Sequence, residues 1–244
     1  MNTRRKFLLS GSMASVALLT AKPFTILANK LAPITGFSIN SNKITLLHTG
    51  NYNPANQHMA VQQINRLKKS TGNLVLLHAG TPIRENAGQL HFDSVLEAAN
   101  CVSVSSNNYT IIFKDKIKIG IITVATGEKD MLNKTEALAG YLKKEKSCDL
   151  VICLSKLGYK NKAAADDVRL AENSTALDII IGGHPSNYTL HAITAQNKNR
   201  REVIIHSAAD AGFALGNIEI GFDADGNKNS IALNNLLTRI TANS

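Results

Sequence analysis

The sequence predicts a layered α/β domain, and three observations support that prediction. Apolar runs with the length of buried strands alternate with segments of helical spacing. The composition, 44% hydrophobic and 18% charged over 244 residues, suits one globular domain. Neither an internal repeat nor a linker interrupts the alternation. The simplest interpretation is therefore one domain over residues 43–240, preceded by an N-terminal segment.

The first half of the domain contains three predicted strands and two predicted helices. Buried apolar runs predict the strands, and the spacing of residues such as Met59, Ile64 and Leu67 predicts the longer helix. The strands are KITLLH (43–48), NLVLLHAG (73–80) and CVSVSS (101–106), and the helices are NQHMAVQQINRLKKS (56–70) and FDSVLEAAN (92–100).

The second half opens with a predicted β-hairpin over residues 109–124, in which two β-rich runs flank the polar turn KDK (114–116). Helices and strands then alternate again before a β-rich end. The helices are KTEALAGYLKKEK (134–146) and KNKAAADDVRLAEN (160–173), and the strands are DLVICLS (149–155), LDIIIGG (177–183), REVIIHSA (201–208) and LGNIEIGFD (215–223).

Residues 1–28 are typical of an export signal. Arg4, Arg5 and Lys6 precede a weakly apolar run that is too short to span a bilayer comfortably. The stretch TRRKFLL resembles the twin-arginine signal, which directs folded bacterial proteins out of the cytoplasm. We therefore expect a periplasmic or otherwise exported protein that is free of the membrane after signal cleavage. An uncleaved N-terminal helix or membrane anchor is the alternative.

The charge and the cysteine content argue against a nucleic-acid-binding protein and against a disulfide-rich protein. Beyond residue 28, 23 basic residues face 18 acidic ones, and the lysines are scattered without an aromatic platform, so nucleic acid is not expected as a partner. Three cysteines at irregular spacing give no disulfide framework, and we interpret them as small core residues. A Cys148–Cys153 bridge is the one alternative.

Common site motifs are missing from the sequence. It contains no phosphate loop, no dinucleotide-binding glycine motif and no nucleophile elbow. The stretch DADGN (223–227) lacks the Gly and Glu that a calcium loop needs, so we interpret it as an Asp-Gly turn. Two stretches do look like strand-end site loops: IIIGGHPSN, which presents His184, and HTGNYN, which offers Asn51 and Asn53 but no carboxylate.

Several of these stretches resemble the metallophosphatase family, in particular the N-terminal domain of bacterial 5′-nucleotidases. KITLLHTGNYN is similar to the family's ITILHTNDxH, NLVLLHAGTP to its LLLDAGD, DLVICLSKLGY to its DLVI-LSHLGY, and LDIIIGGHPSN to its DLIIGGHTHT. The resemblance runs in order over residues 43–223. It implies a four-layer α/β/β/α metallophosphatase-like sandwich without the C-terminal substrate domain of full 5′-nucleotidases.

The resemblance also implies a site of two divalent metals, Mn, Zn, Mg or Fe, that activate a water beside a phosphate. The matching positions carry few of the family's ligands. Asn51 and Asn53 replace Asp and His, Thr81 replaces Asp, Lys156 replaces His, and only His184 is retained, with Ser186 at the second His. A remnant of the Gly-Asn-His motif is AGQLHFD, which places Gln89 and Leu90 at the Asn and His and keeps Asp93.

Amides, hydroxyls and one imidazole do not offset the desolvation of two dications, and a lysine ammonium repels them. We therefore expect no bound metal, no catalytic residue and a binding or partner role, with an unknown protein or a phosphate-containing small molecule as partner. The alternative is a metal-dependent hydrolase of phosphate esters or nucleotides with altered ligation. A third hypothesis is an anion pocket made by Lys156, His184, Gly182 and Gly183.

Overall fold

In a computed structural model, two β-sheets face each other across a shared apolar core. The structure describes residues 43–50, 57–80, 101–102, 108–127, 130–160, 165–184, 186–187, 189, 191–208 and 214–237. The predicted helix at 92–100 lies outside these residues, as do residues 103–106 of the third predicted strand.

Among the described residues, the first sheet has four strands in the order β10-β9-β1-β2, and the second has six in the order β3-β4-β5-β6-β8-β7. Strands β1 and β2 run parallel, as do β4, β5, β6 and β8. The strands are β1 (Lys43–Thr49), β2 (Leu74–His78), β3 (Tyr109–Lys114), β4 (Ile117–Val124), β5 (Leu150–Ser155), β6 (Ile179–Gly182), β7 (Ile193–Gln196), β8 (Glu202–Ser207), β9 (Ala214–Phe222) and β10 (Lys228–Leu237).

Strand alternation builds two cores. Along β5, Leu150, Ile152 and Leu154 pack between the sheets, whereas Val151 and Cys153 face the other side. That other side is covered by α2 (Met131–Lys144) and α3 (Asp167–Asn173). A further described helix, α1 (Gln57–Ser70), lies between β1 and β2 in the sequence. The fold class predicted from the sequence is confirmed.

The helix that contains Asp166 and Asp167 is shorter than the sequence predicted. Residues 160–173 were expected to be helical, but α3 begins at Asp167, because Asp166 is its N-cap and accepts the Arg169 N–H through its side chain. Residues 165 and 166 precede the helix, and residues 161–164 lie outside the described residues.

Two further predictions are settled by the geometry. Residues 223–227 form the turn of the β9–β10 hairpin: the Asp223 side chain accepts the Asp225 and Asn227 amides, and Gly226 adopts φ 81°. All three cysteine thiols are free, and Cys148 and Cys153 are buried in the core beneath the helices.

The described residues include no helix that is long and apolar enough to cross a membrane.

Candidate functional site

The candidate site lies where the carboxyl ends of the parallel strands of both sheets meet. Thr49 pairs with His78 at the ends of β1 and β2, and Ser155, Gly182 and Ser207 pair across the ends of β5, β6 and β8. Carboxyl ends of parallel strands are where α/β proteins commonly build ligand sites.

The backbones of the two sheets touch at this end. A Cβ added to Gly183, which follows β6 of the second sheet, would lie 2.0 Å from the carbonyl oxygen of Ala79, which follows β2 of the first sheet. Within the first sheet, a Cβ added to Gly80 would lie 2.7 Å from the Gly50 oxygen. Only glycine allows such approach, because contacts under 3.0 Å are essentially never made by a real Cβ. The ends of β1, β2 and β6 are therefore held together by close backbone packing.

A buried pair of imidazoles links the two sheets just below this contact. His48 Nε2 lies 2.7 Å from His206 Nδ1, and the rings meet edge to face at an interplanar angle of 84°. Gly216 makes room for the His48 ring, because a Cβ there would lie 2.0 Å from His48 Nε2. Burial, followed by the neighbouring His206, holds the pKa of His48 well below its ordinary value, and burial lowers the pKa of His206 to about 4. Both rings are therefore neutral at neutral pH.

No local sequence pattern indicates this pair, since its two members are 158 residues apart. A second hydrogen bond was also unforeseen: Thr49 Oγ1 lies 2.7 Å from His78 Nδ1 on the neighbouring strand. Their positions in the strands are the one indication that the sequence offered. His48 and His206 are each the next-to-last residue of a strand, and His78 is the last residue of its strand.

Among the residues expected at the metal site, Lys156 follows β5 and His184 follows β6, on neighbouring strand ends. The strand alternation of β5 directs Lys156 toward the four-stranded sheet, because Leu154 faces that way and the buried Leu157 packs on the opposite side. Lys156 is half-buried, and burial lowers its pKa. No described residue forms an ion pair with it.

The ring of His184 is turned into its own loop. Its Nδ1 accepts the backbone N–H groups of Ser186, at 3.2 Å, and of Asn187, at 3.0 Å. A nitrogen that accepts hydrogen bonds carries no proton, so the proton of the neutral ring lies on Nε2. A metal-bound histidine shows the opposite polarity, since its second nitrogen normally donates its N–H to a carbonyl or carboxylate.

The glycine part of the predicted anion pocket needs correction. The Gly183 N–H donates to the Ser155 carbonyl oxygen at 2.7 Å, and Gly182 is the last residue of β6 between β5 and β8. The Gly183 amide is therefore committed to the strand end and is not available to an anion. Of the four residues predicted for that pocket, Lys156 and His184 are the two with polar side chains.

Several expected ligand positions lie outside the described residues, namely Asn51, Asn53, Thr81, Gln89, Leu90 and Asp93. Within the described part of the chain, no group of three or more His, Cys, Asp or Glu side chains is arranged to hold a metal ion. Ser186, at the second histidine of the family motif, is exposed and contributes its amide to His184.

Comparison with solved structures identifies the fold. No protein-family model and no curated protein sequence matches the chain. The Haemophilus influenzae NAD nucleotidase (NadN) is similar with a TM-score of 0.63 and 17% identity, over 78% of this chain and 49% of that one. The 5′-nucleotidase precursor of Thermus thermophilus gives a TM-score of 0.61 and 17% identity, over 80% and 54% of the two chains.

A putative 5′-nucleotidase from Staphylococcus aureus is also similar, with a TM-score of 0.56 and 10% identity over 82% of this chain and 55% of that one. This chain therefore spans about half the length of each of these three solved structures. The resemblance predicted from the strand-end motifs is confirmed at the level of architecture: the chain has the metallophosphatase-type fold of these 5′-nucleotidases.

Proposed function

We propose that this chain is an exported pseudo-phosphatase, which keeps the 5′-nucleotidase fold but binds a ligand or partner without two-metal catalysis. The observation that carries the proposal is the polarity of the described ligand positions. Lys156 presents an ammonium and His184 presents Nε2–H, so both offer protons where a metal needs lone pairs.

Electrostatics opposes a dimetal centre at these positions. Two unit charges 4 Å apart interact by about 4 kcal/mol at an effective dielectric constant of 20, and a dication doubles the repulsion from a lysine ammonium. Because no described carboxylate forms an ion pair with Lys156, that repulsion is not offset within the described residues.

The same protons suit an oxyanion. An ammonium and an imidazole N–H donate charge-assisted and neutral hydrogen bonds to a phosphate or carboxylate oxygen. We therefore propose that Lys156 binds an anionic small molecule directly, with His184 Nε2–H as a second donor.

One observation favours the alternative, a hydrolase with altered ligation. Burial lowers the pKa of Lys156, and a deprotonated lysine has the lone pair that a metal ligand requires. In that case the metals would displace the proton from Lys156, and activity would rise with pH.

Turnover distinguishes the two functions. Purified protein lacking residues 1–28, with added Mn²⁺, Zn²⁺ or Mg²⁺, is expected to release no phosphate above background from nucleoside monophosphates or an aryl phosphate, at neutral or alkaline pH. A metal-dependent activity that disappears in both Lys156→Ala and His184→Ala would replace the pseudo-phosphatase proposal by the hydrolase.

Export is tested separately. Residues 1–35 fused to a reporter are expected to direct it out of the bacterial cytoplasm, and replacing Arg4 and Arg5 by Lys is expected to retain it inside. A reporter that stays in the cytoplasm with the unchanged signal, or that is exported equally well with both lysines, rules out the twin-arginine route.

A further inference from the structure

A buried carboxylate behind the strand ends holds the turn that carries Lys156. The Ser155 hydroxyl donates to Asp167 Oδ1, and the Asp167 N–H donates to the Gly158 carbonyl oxygen at 3.0 Å. The Ser155 oxygen in turn accepts the Leu157 N–H at 3.2 Å. Asp167 thus contacts both sides of Lys156 in the chain, through its side chain and its backbone.

The strand ends are shaped to admit this carboxylate. Ser155, Gly182 and Ser207 form a row across β5, β6 and β8, on the face that α3 covers. A Cβ added to Gly182 would lie 3.1 Å from Asp167 Oδ2 and 2.6 Å from Ser207 Oγ. The missing side chain therefore provides the space that the carboxylate and the Ser207 hydroxyl occupy.

The turn held by Asp167 contacts the His184 loop. The Tyr159 N–H donates to the Asn187 carbonyl oxygen at 3.1 Å, and a Cβ added to Gly158 would lie 3.0 Å from that oxygen. Asn187 donates its own N–H to His184 Nδ1. A continuous set of hydrogen bonds thus runs from Asp167 through residues 155–159 to the ring of His184.

We propose that Asp167 is a positioning residue for ligand binding at the strand ends, because it fixes the turn of Lys156 and, through Asn187, the loop of His184. The inference rests on the proposed function, in which Lys156 binds an oxyanion. Asp167 itself lies on the opposite face of the sheet and does not touch the ligand.

The burial of the Asp167 carboxylate is energetically unfavourable, which supports a role other than stabilising the fold. Asp167 is 1% exposed, and no described residue forms an ion pair with it. Its Oδ2 and Ser207 Oγ are buried without a hydrogen-bond partner among the described residues. Burial raises the pKa of Asp167 to about 6, which the hydrogen bond from Ser155 opposes. A buried anion without a counter-ion destabilises a fold, and such groups are often kept where they position a site.

The test compares Asp167 with Asp178, a mostly buried aspartate at the other end of the same sheet. Asp178 accepts the Val151 N–H at 2.8 Å and pairs with Lys143 and Lys228. Inorganic phosphate binding is measured by calorimetry for the wild type, Asp167→Ala, Asp167→Asn and Asp178→Asn. Amide hydrogen exchange is measured for Leu157 and Tyr159, with Ile152 inside β5 as an internal reference.

We expect Asp167→Ala to weaken phosphate binding about tenfold, which corresponds to about 1.4 kcal/mol, and to accelerate exchange at Leu157 and Tyr159 but not at Ile152. Asp167→Asn retains an oxygen that accepts the Ser155 hydroxyl, so its phosphate affinity stays within about twofold of the wild type. Asp178→Asn lowers the melting temperature and leaves phosphate affinity unchanged.

Two results would overturn the proposal: unchanged exchange at Leu157 and Tyr159 in Asp167→Ala, or equal losses of phosphate affinity in Asp167→Ala and Asp178→Asn. A wild-type protein that binds no phosphate rejects the anion site of the proposed function. The hydrogen exchange then decides the role of Asp167 by itself.

Discussion

The two ends of the sheets use charge in opposite ways. At the amino ends of the parallel strands, carboxylates are paired: Asp178 contacts Lys143 and Lys228, and Lys43 pairs with Glu219. At the carboxyl ends, the described residues include the neutral His48–His206 pair, His184, Lys156 and the buried carboxylate of Asp167. Neither Lys156 nor Asp167 forms an ion pair with a described residue.

The two ends of the sheets are also connected in different ways. The acids at the amino ends connect strands to helices and to the other sheet, since Asp178 precedes β6 while Lys143 lies on α2 and Lys228 on β10. At the carboxyl ends, the sheets are joined by the close contact of Gly183 with Ala79 and by the hydrogen bond between the neutral imidazoles of His48 and His206. Neither connection requires a cation.

The largest effect is expected where the two sheets touch at the carboxyl ends. Gly183→Ala places a methyl group 2.0 Å from the Ala79 carbonyl oxygen, and neither backbone can move freely. We expect a loss of more than about 4 kcal/mol, seen as failure to fold or a large drop in melting temperature.

Gly140→Ala is the matched control for that change. Gly140 lies in α2 with no atom within 4 Å of an added Cβ, so alanine should stabilise the helix by about 0.5–1 kcal/mol. Thermal unfolding followed by circular dichroism measures both variants, and equal melting temperatures would contradict the close contact of the two sheets.

Acid is expected to weaken the carboxyl-end connection. Because the pKa of His206 is lowered to about 4 and that of His48 is also lowered, the unfolded chain binds protons below about pH 6.5 that the folded chain does not. Their contribution is complete above pH 6.5 and is lost as the pH falls toward 4. His206 alone accounts for about 3 kcal/mol of this loss.

Asp167 has the opposite effect on the pH dependence of folding stability. Its pKa is raised to about 6, so its contribution is complete below about pH 4 and is lost as the pH rises through 6. Urea unfolding from about pH 7.5 to 4.5 should therefore show a steeper acid loss in Asp167→Asn and a shallower one in His206→Gln than in the wild type. Identical pH profiles in the three proteins would exclude these groups as the cause.

At the amino ends, removal of the paired acid should have a moderate effect. Asp178→Ala leaves Lys143, Lys228 and the Val151 N–H without their acceptor, which we expect to cost about 2 kcal/mol. Denaturant unfolding at low and high salt measures this loss, which should persist in part at high salt because the side chain of Asp178 is 11% exposed. A variant as stable as the wild type would show that these ion pairs do not hold the amino ends together.

The smallest change in stability is expected for Lys156, which forms no ion pair with a described residue. Phosphate at ten times its dissociation constant should stabilise the wild type by about 1.4 kcal/mol, and Lys156→Gln should abolish that gain while leaving the unliganded protein nearly as stable. Lys160→Gln removes the same charge from the same turn, where Lys160 lies over the Tyr159 ring, and should keep the gain. An equal phosphate effect in all three proteins would assign the anion to another site.

Most of the fold was predictable, because buried strands and amphipathic helices leave apolar patterns in the sequence. Strands β7 and β10 were missed. Both are edge strands with many exposed or half-buried residues, such as Thr194 and Asn234, so they lack a continuous apolar run. The start of α3 was misplaced because alanines before Asp166 favour a helix, whereas the capping bond of Asp166 starts it later.

The strand-end positions of two candidate residues were predictable, whereas the tertiary contacts around them were not. Lys156 and His184 were expected on neighbouring strand ends, and they lie there. The His48–His206 bond depends on how the two sheets face each other, and the role of Asp167 depends on the missing side chain of Gly182. Both arise from tertiary contacts between distant segments, which a local sequence pattern does not encode.

The metal content of the purified protein decides whether the carboxyl ends of the strands hold a dimetal centre. The chain lacking residues 1–28 is incubated with Mn²⁺, Zn²⁺, Mg²⁺ or Fe²⁺, dialysed, and analysed by mass spectrometry for bound metal. If the carboxyl ends of the strands hold no dimetal centre, bound metal remains far below one ion per chain and is the same in Lys156→Gln and His184→Ala. Two tightly bound metal ions per chain, lost when His184 is replaced, would contradict the account.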